Sequence, residues 1–349
     1  MLFCILTLEA IRTDSLSVGY ASPRQTPHLV ASGLDLTLQT GELVCLLGPN
    51  GAGKSTVMRT LSGMQPVLDG QVLINGTKLD TMSASDRATR IGIVLTERID
   101  VGYLSGYALV SLGRYPYTDW SGRMGEADHR AVSEAIDAVS ARDLAERPIS
   151  EMSDGERQKI LIARVLAQDT EVILLDEPTA FLDLARRVEI VALLRRLAHE
   201  SDKAILMSTH DLDNAVRNAD RIWLMTGGRV ETGIPESLVL NKSFQSAFAG
   251  KGIEFDEASG GFRPSHEPVA RICFSESGLV ATWTARALER IGYEVRSEPE
   301  AKTISLSLTR DEAKTIWVLD SAGDRQPFDS LDKLIGHLKI QLPKVPSDG

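Results

Sequence analysis

The feature that most constrains the fold is a glycine-rich segment that directly follows a short, wholly apolar run. Residues 43–47 (LVCLL) have the composition of a strand buried on both faces. The next segment, GPNGAGKST, fits the pattern GxxxxGK[ST]. Its glycines let the backbone curl so that N–H groups point at a phosphate, and the following helix adds its positive N-terminal dipole. We therefore predict a phosphate-binding loop made of Gly48, Pro49, Asn50, Gly51, Ala52, Gly53, Lys54, Ser55 and Thr56.

Four polar side chains near apolar runs fit the chemistry of a nucleoside triphosphate. Lys54 would reach the β- and γ-phosphates, and the Ser55 hydroxyl would ligate Mg²⁺. Such a loop needs a carboxylate on a neighbouring strand end, and the run at residues 172–175 ends in Asp176, which we expect to support the metal. Glu177 comes next, and it could orient or deprotonate the attacking water.

A histidine follows a third apolar run, at residues 204–207. A lone histidine at a strand end is more often structural than catalytic. In a parallel sheet, however, the carboxyl ends of the strands open onto one crevice. The spacing allows a contact between His210 and the γ-phosphate, and the resemblance described below is the main reason to expect it.

Apolar runs alternate with helical patterns through the first two thirds of the chain, which predicts a parallel α/β sheet. The predicted helices span residues 54–61, 155–167 and 184–200. Residues 5–20 and 29–38 alternate apolar and polar residues, which predicts antiparallel strands with one buried face. Residues 97–150 form a predicted helical insertion with a helix at 125–139, and residues 221–232 form a predicted hairpin.

The composition changes near Gly250. We predict one domain over residues 5–250, a linker over 251–268, rich in glycine and proline, and a small α+β domain over 269–349. The predicted strands of this last domain are 271–274, 293–295, 303–308 and 315–319, and its predicted helices are 279–291 and 330–340.

Charge and cysteine usage exclude some classes of function. The formal net charge is −10, and no run of Lys and Arg forms a basic patch, so nucleic acid is not an expected partner. Cys4, Cys45 and Cys273 lie far apart without metal-ligand spacing, which favours buried apolar residues in a reducing compartment. No apolar stretch reaches the ~20 residues of a membrane helix, and we read no signal peptide at the start.

A further motif narrows the prediction to one family. Residues 152–156 read MSDGE and open a helix just ahead of the strand that ends in Asp176. This segment resembles the LSGGQ signature of ABC ATPases, and other marks follow in order: Tyr20 ahead of the strands, residues 181–183 as the D-loop with Asp183, and His210 as the switch histidine. The resemblance covers residues 6–249.

The resemblance implies a fold, a ligand and a partner. The fold would be a P-loop ABC ATPase domain with a mixed sheet core, an antiparallel β subdomain and a helical subdomain. The resemblance implies that Tyr20 stacks on the adenine of ATP and that Ser153, Gly155 and Glu156 bind the ATP held by a second copy of the chain. Two copies would thus sandwich two ATP molecules, with Mg²⁺ as cofactor.

Two positions depart from the family pattern. The family has Gln after the strand at residues 91–95, where this chain has Thr96 and Glu97; both are candidates for the Q-loop position. Asp154 replaces the common Gly of the signature, which would place a carboxylate near bound phosphate unless the side chain points away.

The resemblance also implies a transport role. Residues 109–120 resemble the permease-facing segment of importers for ferric siderophores, haem and cobalamin, with a ferric siderophore as the first expectation. The expected partners are integral membrane permease subunits and, indirectly, an extracytoplasmic substrate-binding protein. The expected location is the cytoplasmic face of the inner membrane.

Two other functions stay open from the sequence. One is a soluble non-transport ABC ATPase acting in DNA repair or on ribosomes, and the other is a scaffold gated by ATP without turnover. The C-terminal domain is expected either to stabilise a dimer or to sense a regulatory ligand.

Overall fold

The computed structural model describes residues 8–22, 25–95, 102–248, 253–256, 261–264, 268–298, 304–311, 314–321 and 323–342. The chain divides into two units, Met1–Arg263 and Pro264–Gly349. The predicted Q-loop residues Thr96 and Glu97 lie outside the described residues.

The described part of the first unit contains both strands and helices. Its strands are, in chain order, β1 (Glu9–Ser22), β2 (Gln25–Leu34), β3 (Thr37–Gln39), β4 (Leu43–Leu47), β5 (Asp69–Ile74), β6 (Thr77–Lys78), β7 (Ile91–Val94), β8 (Val172–Asp176), β9 (Ala204–Ser208), β10 (Arg221–Thr226), β11 (Arg229–Gly233), β12 (Ile253–Asp256) and β13 (Gly261–Pro264). Its α-helices are α1 (Lys54–Leu61), α2 (Ala84–Arg90), α3 (Gly106–Ser111), α4 (Glu126–Ala138), α5 (Asp154–Ala167), α6 (Leu184–Ser201), α7 (Leu212–Asn218), α8 (Pro235–Leu240) and α9 (Ser243–Phe248).

A six-stranded mixed sheet forms the centre of this unit, in the order β11-β10-β4-β9-β8-β7. Strands β10, β4, β9, β8 and β7 run parallel to one another, and the edge strand β11 is antiparallel to β10. The predicted α/β class is confirmed. Because β4, β8 and β9 are parallel, their carboxyl ends lie at one edge of the sheet.

The central strand β4 is buried on both faces, as its composition predicts. Leu43, Cys45 and Leu47 join a core shared with the helical insertion. Val44 and Leu46 join a second core, which includes α1 and the antiparallel sheet. Burial raises the pKa of the Cys45 thiol far above its ordinary range, which keeps this cysteine protonated as an apolar core residue.

The antiparallel sheet has the order β2-β1-β5-β6, with β3 also paired to β1. The single strand predicted over residues 29–38 is wrong, because the chain breaks between β2 and β3. The Thr13 hydroxyl enters the break: it donates to the Leu34 carbonyl (2.7 Å) and accepts from the Leu36 N–H (2.8 Å). Leu34, Leu36 and Leu38 are nevertheless all buried, as the alternation predicts.

In the helical insertion, α4 packs against α5 through its buried residues Val132, Ala135 and Ile136. An ion pair joins the segment ahead of α4 to that helix: Arg114 Nε lies 2.9 Å from Asp128 Oδ1, and both side chains are largely buried.

The linker predicted over residues 251–268 is wrong in part. Strands β12 and β13 pair into a two-stranded sheet there. Phe255 of β12 is buried in the first core and stacks on Phe244, with ring centroids 5.2 Å apart. Because the stretch is rich in glycine and proline, its sequence did not indicate the short strand β12, whose Phe255 belongs to the core.

The second unit has a five-stranded sheet in the order β15-β14-β16-β17-β18 and its own apolar core. Its elements are β14 (Ala270–Cys273), α10 (Leu279–Arg290), β15 (Tyr293–Arg296), β16 (Ile304–Asp311), β17 (Lys314–Ser321), β18 (Asp324–Phe328) and α11 (Leu331–Gln341). The composition is α+β, and β18 is a strand that the polar sequence DRQPF did not indicate.

Across the described ranges, none of the helices combines the length and apolar character that crossing a membrane requires.

Candidate nucleotide site

The predicted phosphate-binding loop joins β4 to α1 and is shaped by glycines. Gly48, Gly51 and Gly53 have φ of 154°, 77° and 104°, in the region that favours glycine. A Cβ on Gly48 would lie 2.3 Å from the carbonyl oxygen of Met225 in β10. The loop therefore needs glycine at this position both for its backbone angle and for its packing against the neighbouring strand.

The ammonium of Lys54 lies inside the loop. Lys54 Nζ donates to the carbonyls of Gly48 (2.9 Å) and Pro49 (3.3 Å), and the residue is 6% exposed. An ammonium placed inside a glycine-rich loop is suited to bind a phosphate group.

Tyr20 of β1 lies beside the loop. Its hydroxyl is 2.9 Å from Thr56 Oγ1 of α1, and half of the residue is exposed. Its ring runs parallel to that of His28 on β2, with centroids 6.5 Å apart. An exposed ring fixed at the edge of a phosphate loop is suited to stack on a base.

Two acidic residues end β8 at the same edge of the sheet. Asp176 is 8% exposed, and its Oδ1 accepts hydrogen bonds from Ser208 Oγ (2.6 Å) and Ser55 Oγ (3.4 Å). Glu177 follows with φ of 50°, a left-handed conformation that is strained for a residue with a side chain. Its Oε1 contacts His210 Nε2.

These contacts bring together most of the side chains predicted for phosphate chemistry. Lys54 and Ser55 come from the loop after β4, Asp176 and Glu177 from the end of β8, and His210 from the residues after β9. The carboxylate of Asp176 and the hydroxyl of Ser55 are hard oxygen donors, which Mg²⁺ prefers together with phosphate oxygens.

The signature segment forms a cluster of its own at the start of α5. Ser153 caps the helix: its Oγ accepts from the Glu156 N–H (3.4 Å), and Glu156 Oε2 accepts from the Ser153 N–H (2.8 Å) and hydroxyl (2.9 Å). These bonds, with a weaker one from Arg147, lower the pKa of Glu156. The capping box fixes the first turn, whose N–H groups suit an anion.

Three further contacts involve Gly155 and Asp154 of the signature segment and Asp183 at the start of α6. A Cβ on Gly155 would lie 3.3 Å from Cδ of Arg186, so the glycine also makes room for α6. Asp154 Oδ1 lies 3.8 Å from Arg157 Nη1 on its own helix. Asp183 caps α6, since its Oδ1 accepts from the Arg186 N–H (2.8 Å).

Sequence reasoning missed Ser208, the last residue of β9. Its hydroxyl contacts both acids at the end of β8. The available signal was a hydroxyl residue at a strand end, two positions before His210.

Comparisons with known proteins cover both units. The profile of the family described as ABC transporter matches residues 31–180, and that of the iron ABC transporter C-terminal domain matches residues 270–339. The achromobactin transport ATP-binding protein of Dickeya dadantii is 40% identical over 62% of this chain and 78% of its own length. The iron(3+)-hydroxamate import ATP-binding protein of Bacillus subtilis is 38% identical over 64% of this chain and 81% of its own length. The dimeric structure of a bacterial ABC transporter cassette is 25% identical, with a TM-score of 0.56, over 64% of this chain and 98% of that one.

Proposed function

Since this chain belongs to the family of ABC transporter ATP-binding proteins, and so binds and hydrolyses ATP, we propose that it drives the import of an iron chelate through a separate membrane permease. A ferric siderophore is the first candidate cargo, followed by haem and cobalamin. The main support for the proposal is that both units are similar to components of iron transporters. The first unit is similar to ATPases named for achromobactin transport and iron(3+)-hydroxamate import, and the second matches an iron transporter domain.

The site residues have the following proposed roles in ATP hydrolysis. The loop at residues 48–56 wraps the phosphates, Lys54 neutralises the β- and γ-phosphates, and Tyr20 stacks on adenine. Glu177 accepts a proton from the attacking water or orients it in line with the γ-phosphate. His210, whose Nε2 contacts the Glu177 carboxylate, contacts the γ-phosphate as negative charge develops there.

Mg²⁺ is the proposed cofactor, and the donor set fits it. Ser55 and Asp176 would hold the ion, which would offset charge on the phosphate oxygens. Their oxygens already lie within 3.4 Å of each other.

A second copy of the chain is the proposed partner that completes the site. Ser153, Gly155 and Glu156 of one copy would face the phosphate loop of the other, and Asp183 would lie at the same interface. The capping box supports this assignment, because it holds the N–H groups at the start of α5 in a fixed arrangement. A dimeric relative of the same fold also supports it.

We propose that exposed aromatic side chains of the helical insertion, Tyr103, Tyr115 and Trp120, contact the permease. These residues are 92%, 77% and 99% exposed. The segment that carries Tyr115 and Trp120 is anchored, since Arg114 Nη1 donates to the Ala167 carbonyl (2.8 Å) and Tyr117 Oη to that of Gln168 (3.0 Å). Large exposed rings on an anchored segment are typical of an interaction site. Through this contact the chain would sit at the cytoplasmic face of the inner membrane, with an extracytoplasmic substrate-binding protein as an indirect partner.

The transport proposal is tested by uptake of a labelled ferric hydroxamate siderophore. Cells that carry Glu177→Gln in place of the native chain should lose uptake, while cells that carry Glu200→Gln, an exposed position near the far end of α6, should keep it. Normal uptake with Glu177→Gln would contradict the cargo. Haem and cobalamin are then assayed in the same strains.

The permease contact is tested by recovery of the tagged chain from detergent-solubilised membranes. A multi-helix protein should co-purify with the native chain and should be lost with combined Tyr115→Ser and Trp120→Ser substitutions. Trp283→Ser, at an exposed ring of the second unit, is the matched control. Recovery without any membrane partner would favour a non-transport ABC ATPase.

A further inference from the structure

Ser208 lies between the two acids that end β8. It is the last residue of β9, pairs in register with Asp176, and is fully buried. Its hydroxyl donates to Asp176 Oδ1 (2.6 Å) and accepts from the backbone N–H of Glu177 (2.9 Å). One buried hydroxyl therefore contacts both residues proposed to act at the phosphates.

The bond to Glu177 acts on a strained residue. A side chain at φ of 50° persists where its surroundings fix the backbone. The Ser208 hydroxyl accepts a hydrogen bond from the N–H of this same residue. This bond therefore fixes the backbone conformation of Glu177, which in turn directs its carboxylate toward His210. Without that acceptor the N–H would lose its partner, and the backbone would be free to relax.

The bond to Asp176 acts on the direction of a carboxylate. A hydroxyl that donates to an ionised carboxylate at 2.6 Å forms a short, charge-assisted bond. The bond restricts rotation of the carboxylate, and the same Oδ1 lies 3.4 Å from Ser55 Oγ at the start of α1.

We infer that Ser208 is a positioning residue, whose single hydroxyl sets the orientation of Asp176 and of Glu177 together. This inference rests on the roles proposed above for these two acids. Ser208 acts on the catalytic step through them, so its removal should affect turnover more than ATP binding.

The test compares Ser208→Ala, which removes both bonds, with Ser208→Thr, which keeps a hydroxyl. In Ser208→Ala, kcat for ATP hydrolysis should fall about 10- to 100-fold, because small misplacements of reacting groups slow a reaction by such factors. The KM for ATP and the equilibrium affinity for a fluorescent ATP analogue should stay within about twofold of wild type, as expected when an interaction acts mainly in the transition state. Ser208→Thr should recover most of the lost kcat.

A matched control is Thr170→Val, because it removes another buried hydroxyl ahead of the other end of β8, where it donates to the Val172 carbonyl. Its kcat should stay near wild type. Should Ser208→Ala fail to fold, Ser208→Cys fills the site with a somewhat larger side chain that is a weaker donor and acceptor, and a kcat between those of wild type and Glu177→Gln is expected.

Two results would overturn the inference: a kcat for Ser208→Ala near the wild-type value, or a loss of ATP affinity that parallels the loss of kcat. These outcomes are distinct from failure of the proposed roles themselves. Undiminished turnover in Glu177→Gln would refute the role of Glu177, whereas normal Ser208→Ala beside an inactive Glu177→Gln refutes the positioning role alone.

Discussion

At the scale of single residues, the phosphate loop depends on glycines for two separable reasons. Gly51 has φ of 77° with open space where a Cβ would lie, while Gly48 has both a positive φ and the Met225 carbonyl oxygen in the way. Gly51 is required by the backbone conformation alone, whereas Gly48 is required both by the backbone conformation and by packing against β10.

We therefore expect Gly48→Ala to weaken ATP binding far more than Gly51→Ala. Backbone strain alone should cost about 1–2 kcal/mol, or about a tenfold loss of affinity. Overlap with the carbonyl should add about 1–3 kcal/mol and raise the loss to about 30-fold or more. Equilibrium titration with a fluorescent ATP analogue measures both, with thermal unfolding as the check on folding. Equal losses would argue against a packing role for Gly48.

The site residues whose placement could be predicted are those at strand ends. Lys54, Asp176, Glu177 and His210 follow apolar runs, and the carboxyl edge of a parallel sheet brings such positions together. Ser208 escaped prediction because its role depends on the register of β8 and β9, which pairs it with Asp176. Local sequence does not encode that register.

At the scale of elements, the start of α5 combines a capping box with the signature sequence. Hydrogen bonds from Ser153 and Arg147 depress the pKa of Glu156. A carboxylate with a depressed folded pKa stabilises the fold above its unfolded pKa of about 4.3, and this contribution disappears as pH falls through the folded value.

We expect Glu156→Gln to lower the midpoint of thermal unfolding near pH 7. The difference from wild type should persist down to about pH 5 and shrink at lower pH, because wild-type Glu156 becomes protonated there. Scans of both proteins between about pH 7 and 3 measure this. Glu134→Gln, an exposed carboxylate on α4, serves as control. A difference that stays constant with pH would contradict the account.

The buried strands β4, β8 and β9 and three of the helices could be predicted to within one residue. The predicted bounds of α1 match the structure, and those of α5 and α6 differ by one residue, because caps and apolar spacing mark helix ends locally. The break between β2 and β3 depends on the Thr13 hydroxyl of a distant strand, so the alternating sequence 29–38 could not reveal it.

At the scale of the whole molecule, the limits of the first unit decide where the chain can be shortened. Phe255 is buried against Phe244, beyond the boundary near Gly250 that composition suggested. The first unit runs to Arg263. Glycine and proline content predicted a linker there, but the core that Phe255 completes depends on residues distant in the sequence.

We expect a chain that ends at Arg263 to hydrolyse ATP at about the full-length rate, whereas one that ends at Gly250 should be less stable. Loss of a buried phenylalanine costs about 3–5 kcal/mol. Phe255→Ala in the full-length chain should therefore lower the unfolding midpoint of the first unit in the same way. Calorimetry of the three proteins measures this, and equal stability of the two truncated chains would show that Phe255 contributes nothing.

The truncated chains also separate the two roles expected for the second unit. If it stabilises a dimer, removing it after Arg263 should raise the dissociation constant of the ATP-bound dimer, as measured by sedimentation in a Glu177→Gln background. An unchanged constant would leave regulation as the role to pursue.

The measurement that tests the account most directly is steady-state ATP hydrolysis by the native chain and by Glu177→Gln. The arrangement of Glu177 with His210 at the end of β8 predicts that the substitution lowers kcat at least about 100-fold, as loss of a general base does, and leaves ATP binding intact. A Glu177→Gln variant that hydrolyses ATP at the native rate would contradict the proposed site.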